Sequence, residues 1–250
     1  MLEVSAQRGR RVRRCGERKL LVRHSSALVT GGGSGTGREV AKRLTAQGVR
    51  VTVWGRTADT VRAVVDEGDA AAWNVVDVAD PDGVARGVEA LRAEHGSVTL
   101  IVHCAGIWTP GALGDLDANV IRHHIDTVVL GSALIARSAK ELIGAGPGHF
   151  IHVSAASAKP GFPDTALNVL AKRAQDGLHE GLTREFRGTD VRVTAVYPDS
   201  VADKGSASVA AGRAMTYEDV AEAILYAGSS PATVVPSEIV LTARNTGRWE

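Results

Sequence analysis

Two side chains with different acid–base properties stand four residues apart in the stretch TALNVLAKRA, residues 165–174. The apolar members of this stretch predict a helix, on which Asn168 and Lys172 share one face. An asparagine amide offers no proton in the accessible range, whereas a lysine ammonium can titrate or hold an anion. Lys172 is therefore either an ordinary solvated charge or one half of a site whose other half has changed.

A glycine-rich stretch, TGGGSGTG at residues 30–37, follows an apolar run and opens an amphipathic one. Glycines let the backbone turn sharply and approach a diphosphate closely, and the N-terminus of the following helix supplies N–H groups and a positive dipole end. The order of strand, loop and helix predicts a phosphate site of the dinucleotide-binding type. The binding residues predicted here are Gly31, Ser34, Gly35, Thr36 and Gly37.

The end of the second apolar run, VTVWGRTAD, indicates which dinucleotide would bind. A site for NAD usually has an acidic residue here for the ribose 2′-hydroxyl, but this chain has Gly55 followed by Arg56. A guanidinium matches a 2′-phosphate, so the sequence favours NADP(H).

Short apolar runs alternate with amphipathic ones along the chain. The secondary structure that this pattern predicts would position both the glycine-rich stretch and Lys172. Nearly continuous apolar character is typical of strands buried on both faces of a parallel sheet. The alternation predicts an α/β fold, a doubly wound parallel Rossmann-type sheet of about seven strands in a single domain over residues 25–250. The predicted strands are 26–30, 49–54, 70–75, 98–103, 149–154, 191–196 and 237–242, and the predicted helices are 35–47, 59–67, 81–95, 115–143, 164–187 and 217–226. Residues 201–215 are predicted to be a mobile flap or short helix over a ligand cleft.

Charge and composition narrow the function classes. Eight of the 29 Lys and Arg residues lie in residues 1–23. This predicts a basic and disordered tail over residues 1–24. The alternative is that the segment is an arm that binds nucleic acid or another anionic surface. No apolar run long enough for a signal sequence or a membrane span is present, which favours a cytoplasmic location without a membrane partner. The two cysteines form no metal pattern, and we expect no metal. A nucleic-acid partner is not expected; the expected partner is a small-molecule substrate.

Four motifs give the chain a resemblance to the short-chain dehydrogenase/reductase family: TGGGSGTG at 30–37, DVAD at 77–80, HCAG at 103–106 and YEDVAEAI at 217–224. The resemblance extends from about residue 25 to residue 243. It implies that Asp77 and Val78 contact the adenine and that Ala105 and Gly106 border the cofactor. HCAG departs from the family's N-N-A-G, because His103 and Cys104 replace the two asparagines.

The same resemblance implies how the catalytic positions have changed. The family uses Asn, Ser, Tyr and Lys, with the Tyr four residues before the Lys and the Ser thirteen before the Tyr. Lys172 matches the lysine, but Asn168 stands at the tyrosine position, Ala155 at the serine position and Val128 at the asparagine position. Ordinary ketone reduction through the Tyr–Ser relay is therefore not expected. Ser154 and Ser157 flank the empty serine position.

Three interpretations remain open. The chain is an atypical NADP(H)-binding oxidoreductase for a small carbonyl or hydroxyl compound, in which Lys172, Asp199, water or the substrate supplies the proton. Alternatively, it is a non-redox enzyme of the same fold, an isomerase, dehydratase or cyclase of specialised metabolism, or a catalytically silent cofactor-binding partner protein. Lys172, Asn168 and Asp199 are the predicted catalytic positions.

Further residues are candidates for the cleft or for assembly. His124, one turn before Val128, and Trp108, after HCAG, are candidate lining groups. The helical patterns 115–143 and 164–187 carry apolar residues on more than one face, which indicates burial on two sides. Together with the resemblance, this predicts a homodimer or homotetramer.

Overall fold

A computed structural model describes residues 24–144 and 146–245. The predicted basic tail, residues 1–24, lies outside these residues except for His24. One sheet of seven parallel strands in the order β3-β2-β1-β4-β5-β6-β7 forms the centre, so the predicted doubly wound sheet is confirmed. The strands are β1 (Ser26–Thr30), β2 (Arg50–Gly55), β3 (Ala72–Val75), β4 (Leu100–His103), β5 (Gly148–Val153), β6 (Val191–Pro198) and β7 (Glu238–Leu241).

Helices cover both faces of this sheet. They are α1 (Gly35–Thr45), α2 (Ala58–Asp66), α3 (Pro81–His95), α4 (Ala118–Ile125), α5 (Gly131–Ile143), α6 (Ala166–Glu185), α7 (Ala207–Ala210) and α8 (Tyr217–Gly228). The strand order reverses between β1 and β4, and the carboxyl ends of parallel strands at such a reversal form a crevice where ligands bind. The fold thus brings the glycine loop after β1 and the segment after β4 to one edge.

Successive side chains of the central strands enter two separate cores. Val29 of β1 packs with α1, α2 and α8, while its neighbour Leu28 packs on the opposite face with α3 and α5. Phe150 and Ile151 of β5 divide in the same way. This explains why the strands are apolar at nearly every position instead of alternating.

The predicted helix over residues 115–143 is wrong at its start and interrupted in the middle. A 3₁₀ turn occupies Leu113–Asp115, and α4 begins only at Ala118, because the Asp117 carboxylate accepts a hydrogen bond from the Asn119 N–H and caps the helix there. Residues Asp126–Leu130 form a π-helical turn between α4 and α5. Such turns are frequent at functional sites.

The segment over residues 201–215 contains the predicted short helix, α7. A β-bridge between Val201 and Met215 closes the segment at its base. Within the described residues, every helix is too short or too polar to cross a bilayer.

Histidines occupy the middle of the sheet and the helix beside it. His152 on β5 is 1% exposed, and neither of its ring nitrogens has a hydrogen-bond partner among the described residues. Its ring lies 5.3 Å from that of His179 on α6. Burial is the main cause that holds the pKa of His152 well below its usual value, and the neighbouring His179, His103 and Lys172 add to the effect.

The buried histidines make stability depend on pH. His152 stays neutral when folded but binds a proton in the unfolded chain below about pH 6.5, so stability falls as the pH falls below that value. Replacing His152 by Phe removes this uptake, and we expect the free energy of unfolding to fall less steeply between pH 6 and pH 5, by about 1.4 kcal/mol per pH unit at most. Urea unfolding of both proteins across this range measures the slopes, and equal slopes would contradict the prediction.

Candidate active site

The glycine loop between β1 and α1 brings two backbone segments very close together. Gly31 has a φ of +67°, and a Cβ on it would lie 2.8 Å from the amide nitrogen of Ala105. A Cβ on Gly37 would lie 2.3 Å from the carbonyl oxygen of Gly31. Ser34 precedes α1 without a side-chain cap, so the first N–H groups of α1 are left for a ligand or water. The loop therefore has the shape of a phosphate site.

A pocket of about 230 Å³ lies beside this loop. Its lining includes six of the predicted cofactor residues: Gly31, Ser34, Arg56, Val78, Ala105 and Gly106. Of the other predicted residues, Gly35, Thr36 and Gly37 form the first turn of α1. The Asp77 carboxylate accepts a hydrogen bond from the Ala79 N–H at 2.9 Å and so orders the turn after β3.

Arg56 stands at the end of β2 on the pocket's border, with its side chain exposed. Its Nη1 lies 3.3 Å from Nε2 of His123 on α4. His123 was not predicted as a cofactor residue, because 67 residues separate it from Arg56 and no local pattern connects them. The two side chains together form a polar border at this end of the pocket.

The side-chain amide of Asn168 makes hydrogen bonds to the backbone of the segment after β4. Its Nδ2 donates to the Thr109 carbonyl oxygen at 3.0 Å, and its Oδ1 accepts from the Thr109 N–H at 3.3 Å. Nδ2 also lies 2.5 Å from Thr165 Oγ1 and 3.3 Å from Asp164 Oδ1. We call this arrangement the Asn168 clamp. With a side chain that is 1% exposed, Asn168 fastens the segment after β4 to the start of α6.

His124 supports the clamp from α4. Its Nδ1 lies 2.8 Å from Thr109 Oγ1, and its side chain is fully buried. The sequence made His124 a candidate for lining a ligand cleft. A cleft of about 490 Å³ lies at this sheet edge, and His124 is not among the described residues that line it. Burial is the main cause that lowers the pKa of His124, and the nearby Lys172 lowers it further.

A chain of hydrogen bonds connects Lys172 to the base of the glycine loop. Lys172 Nζ donates to Gln175 Oε1 at 3.0 Å, and Gln175 Nε2 donates to Ser132 Oγ at 2.7 Å. His103 Nε2 lies 3.1 Å from the same Ser132 Oγ, and His103 Nδ1 lies 2.7 Å from Thr30 Oγ1. Four of these five residues are buried, and Lys172 is half-buried. We call this arrangement the buried polar chain.

The other partners of the chain fix its direction. Ser132 Oγ donates to the Val128 carbonyl at 2.6 Å in the π-helical turn, so it accepts from both Gln175 and the N–H at His103 Nε2. His103 Nδ1 then accepts from Thr30. Burial, together with the nearby Lys172, lowers the pKa of His103 to about 3, so the ring is neutral and this tautomer persists.

Lys172 lies close to the pocket beside the glycine loop, which we call the nucleotide pocket. Its Nζ lies 3.9 Å from where a Cβ on Gly106 would be, and Gly106 lines the pocket. Burial lowers the pKa of Lys172 to about 8, and the attraction of Asp164 opposes this shift. The ammonium therefore has a neutral amide as its hydrogen-bond partner and titrates close to neutral pH.

Two members of the buried polar chain were not found from the sequence. Gln175 stands three residues after Lys172 on one helix, so their spacing could have indicated a contact. No sequence pattern indicated a role for Ser132. Its contact with Gln175 of α6 depends on tertiary packing, which also places the π-helical turn with Val128 beside α6. His103 was noticed only as a departure from a motif.

A separate cleft of about 490 Å³ lies at the same sheet edge. The predicted catalytic position Asp199 lines it, as do Trp108 and Ala155. Ser154 and Ser157 also line it; they are 4% and 5% exposed, and their Oγ atoms have no hydrogen-bond partner among the described residues. The remaining lining residues are Thr36, Val153, Pro163, Asp164, Pro198, Ser200 and Val201.

Comparisons with known proteins agree with this architecture. The chain is 33% identical over 232 residues to a cis-4-hydroxycyclohexanecarboxylate dehydrogenase of Sinomonas cyclohexanicum, a match that spans 86% of this chain and 93% of the relative. It is 34% identical over 183 residues to an uncharacterised oxidoreductase of Myxococcus xanthus, spanning 71% of this chain and 72% of that protein.

A solved structure and a family profile extend the comparison. The crystal structure of a short chain dehydrogenase from Burkholderia cenocepacia J2315 in complex with NADP superposes with a TM-score of 0.77 at 26% identity, covering 87% of this chain and 96% of the other. The profile of the short chain dehydrogenases matches residues 25–213. This protein belongs to the short-chain dehydrogenase/reductase family.

Proposed function

We propose that this protein is an atypical NADP(H)-dependent oxidoreductase that transfers hydride to or from a small organic substrate, by the family's precedent a carbonyl or hydroxyl compound, without a Tyr–Ser relay. The observation that carries the proposal is the placement of Lys172: its Nζ lies 3.9 Å from where a Cβ on Gly106 would be, and Gly106 lines the pocket beside the glycine loop. Membership of an oxidoreductase family and a structural relative in complex with NADP support the cofactor.

The residues around the pocket fit NADP(H). The glycine loop and the N-terminus of α1 would hold the diphosphate, Arg56 the 2′-phosphate, and Asp77 and Val78 the adenine. Lys172 would donate to the ribose next to the nicotinamide. When bound, the cofactor supplies or accepts the hydride.

The proton is the part of the reaction for which the family's usual groups are missing. The three tyrosines of the chain all lie elsewhere: Tyr197 is buried and donates to Asp176 at 2.7 Å, Tyr217 packs beside Gly35, and Tyr226 is exposed. Reduction of a neutral carbonyl would have to take its proton from Lys172, Asp199, water or the substrate itself.

Arg56 should determine the cofactor preference. We expect NADPH to bind more tightly than NADH, and Arg56→Ala to weaken NADPH binding by about tenfold or more while leaving NADH binding nearly unchanged, because the lost hydrogen bonds reach only the 2′-phosphate. Calorimetric titration of both cofactors measures this. Arg86→Ala on α3 is the matched control and should change neither affinity. Equal affinities for the two cofactors in the unaltered protein would contradict the proposal.

Lys172 should make NADPH affinity depend on pH. Its ammonium loses its charge as the pH rises through about 8, so affinity should fall several-fold between pH 7 and pH 9.5. Lys172→Met should bind weakly at both values and lack this step. Asn168→Ala should keep the step, because the Asn168 amide is committed to Thr109. Fluorescence titration of NADPH measures the affinities, and a Lys172→Met protein with the unaltered pH dependence would show that another group titrates.

We also propose a homodimer or homotetramer assembled through α5 and α6. A groove of about 580 Å³ runs along these helices, and apolar side chains of Ala133, Ala136, Leu178, Leu182 and Phe186 form part of its lining. We expect light scattering at micromolar concentration to give a mass of at least two 26.1-kDa chains. Ala133→Arg, which adds charge and volume to an exposed position in the groove, should shift the mass towards one chain. A single-chain mass for the unaltered protein would refute the assembly.

A further inference from the structure

The buried polar chain begins at a contact between two side chains of α6 that lie three residues apart. Lys172 Nζ donates to Gln175 Oε1 at 3.0 Å, and Gln175 is 1% exposed. Among the described residues, no carboxylate forms an ion pair with Lys172. The Gln175 amide is therefore the group that holds the ammonium in place.

The direction of the Gln175 amide is fixed by the contacts of its other end. Gln175 Nε2 donates to Ser132 Oγ at 2.7 Å and to the Val128 carbonyl oxygen at 3.4 Å. Rotating the amide by half a turn would bring its oxygen against the Val128 carbonyl and its NH₂ group against the Lys172 ammonium. Acceptor would then face acceptor and donor would face donor, so the amide oxygen has to point to Lys172.

The partner of Lys172 is neutral, and this leaves the charge of the ammonium uncompensated at the contact. An amide oxygen orients an ammonium through a charge-assisted hydrogen bond, whereas a carboxylate would also offset its charge. Lys172 Nζ lies 3.9 Å from where a Cβ on Gly106 would be, beside the nucleotide pocket. A dinucleotide is an anion, so an uncompensated cation at this place favours its binding.

Groups from other elements also face Lys172. Asp164, which precedes α6, attracts the ammonium. Three histidines on β4, α4 and β5 lie near it, namely His103, His124 and His152. Burial is the main cause that lowers the pKa of each of these histidines, so the three rings are neutral above pH 7. They contribute no change of charge where Lys172 titrates.

We infer that Gln175 is a positioning residue of the nucleotide pocket: its amide, held by the buried polar chain, keeps the Lys172 ammonium beside Gly106 without cancelling its charge. The inference rests on the proposed function. Gln175 is not among the described residues that line the pocket, so it acts through Lys172. The chemistry of the side chain at position 175, and not only its size, then decides the pH range in which Lys172 is charged.

Two substitutions of similar size should have opposite effects on Lys172. Gln175→Glu places a carboxylate against the ammonium and should raise the midpoint of the Lys172 titration by about one pH unit or more. Gln175→Met removes the acceptor from a buried ammonium and should lower the midpoint by about one pH unit. A side chain that only filled space would not give shifts of opposite sign.

The titration can be measured directly and without cofactor. With ¹³Cε-labelled lysine, NMR follows the six lysines between pH 6 and pH 11, and Lys172→Met identifies the signal of Lys172. The midpoint in the unaltered protein should be near pH 8. The matched control is Gln47→Glu, the same chemical change after the end of α1, at the opposite edge of the sheet. It should leave the midpoint unchanged.

NADPH binding connects the titration with the pocket. The pH at which NADPH affinity falls should follow the Lys172 midpoint, upwards in Gln175→Glu and downwards in Gln175→Met. At pH 7, Gln175→Glu should bind NADPH several-fold more weakly than the unaltered protein, because the carboxylate offsets the charge of the ammonium. Fluorescence titration at a series of pH values measures both effects.

The outcomes separate this inference from the proposed function. Midpoints that move in opposite directions, with NADPH affinity following them, support the inference. Any other pattern of midpoints, with the same direction in both variants or no shift in one of them, overturns it while the proposed function stands. Opposite shifts with an unchanged pH dependence of NADPH affinity also overturn it. If the unaltered protein does not bind NADPH, the proposed function fails, and the role of Gln175 at the nucleotide pocket fails with it.

Discussion

Buried polar groups are normally paired, and one set of such pairs joins β1, β4, α5 and α6. His103 at the end of β4 is fully buried, and it is satisfied on one side by Thr30 and on the other by Ser132. Ser132 also donates to the Val128 carbonyl oxygen at 2.6 Å, four residues earlier in the π-helical turn. One set of hydrogen bonds thus links the end of β1, the π-helical turn and Lys172.

The pairing also explains the electrostatics of the site. His103 is held neutral, so it adds no positive charge beside Lys172. Gln175 gives Lys172 a dipole instead of an anion, and burial then lowers its pKa to about 8. The nucleotide pocket and the cleft lie at the same sheet edge and differ in charge: Arg56 lines the first, and Asp164 and Asp199 line the second.

The sequence predicted the sheet and the tight loop after β1, because both depend on local patterns. Nearly continuous apolar runs specify buried strands, and the spacing of the glycines after β1 specifies a tight loop. The Asn168 clamp was not predicted, since its partner Thr109 lies 59 residues away and contributes only backbone atoms. The start of α4 was placed too early because the Asp117 cap is a single side chain within a stretch of similar composition.

The Asn168 clamp has a consequence for how the two cavities can be reshaped. The side chains of Asn168 and Thr165 both donate to the Thr109 carbonyl oxygen, and Asn168 is 1% exposed. A larger side chain at position 168 would therefore have to displace the backbone at Thr109. Residues just before Thr109 line both cavities, Gly106 the nucleotide pocket and Trp108 the cleft. The shapes of the two cavities are thus mechanically coupled through a single amide.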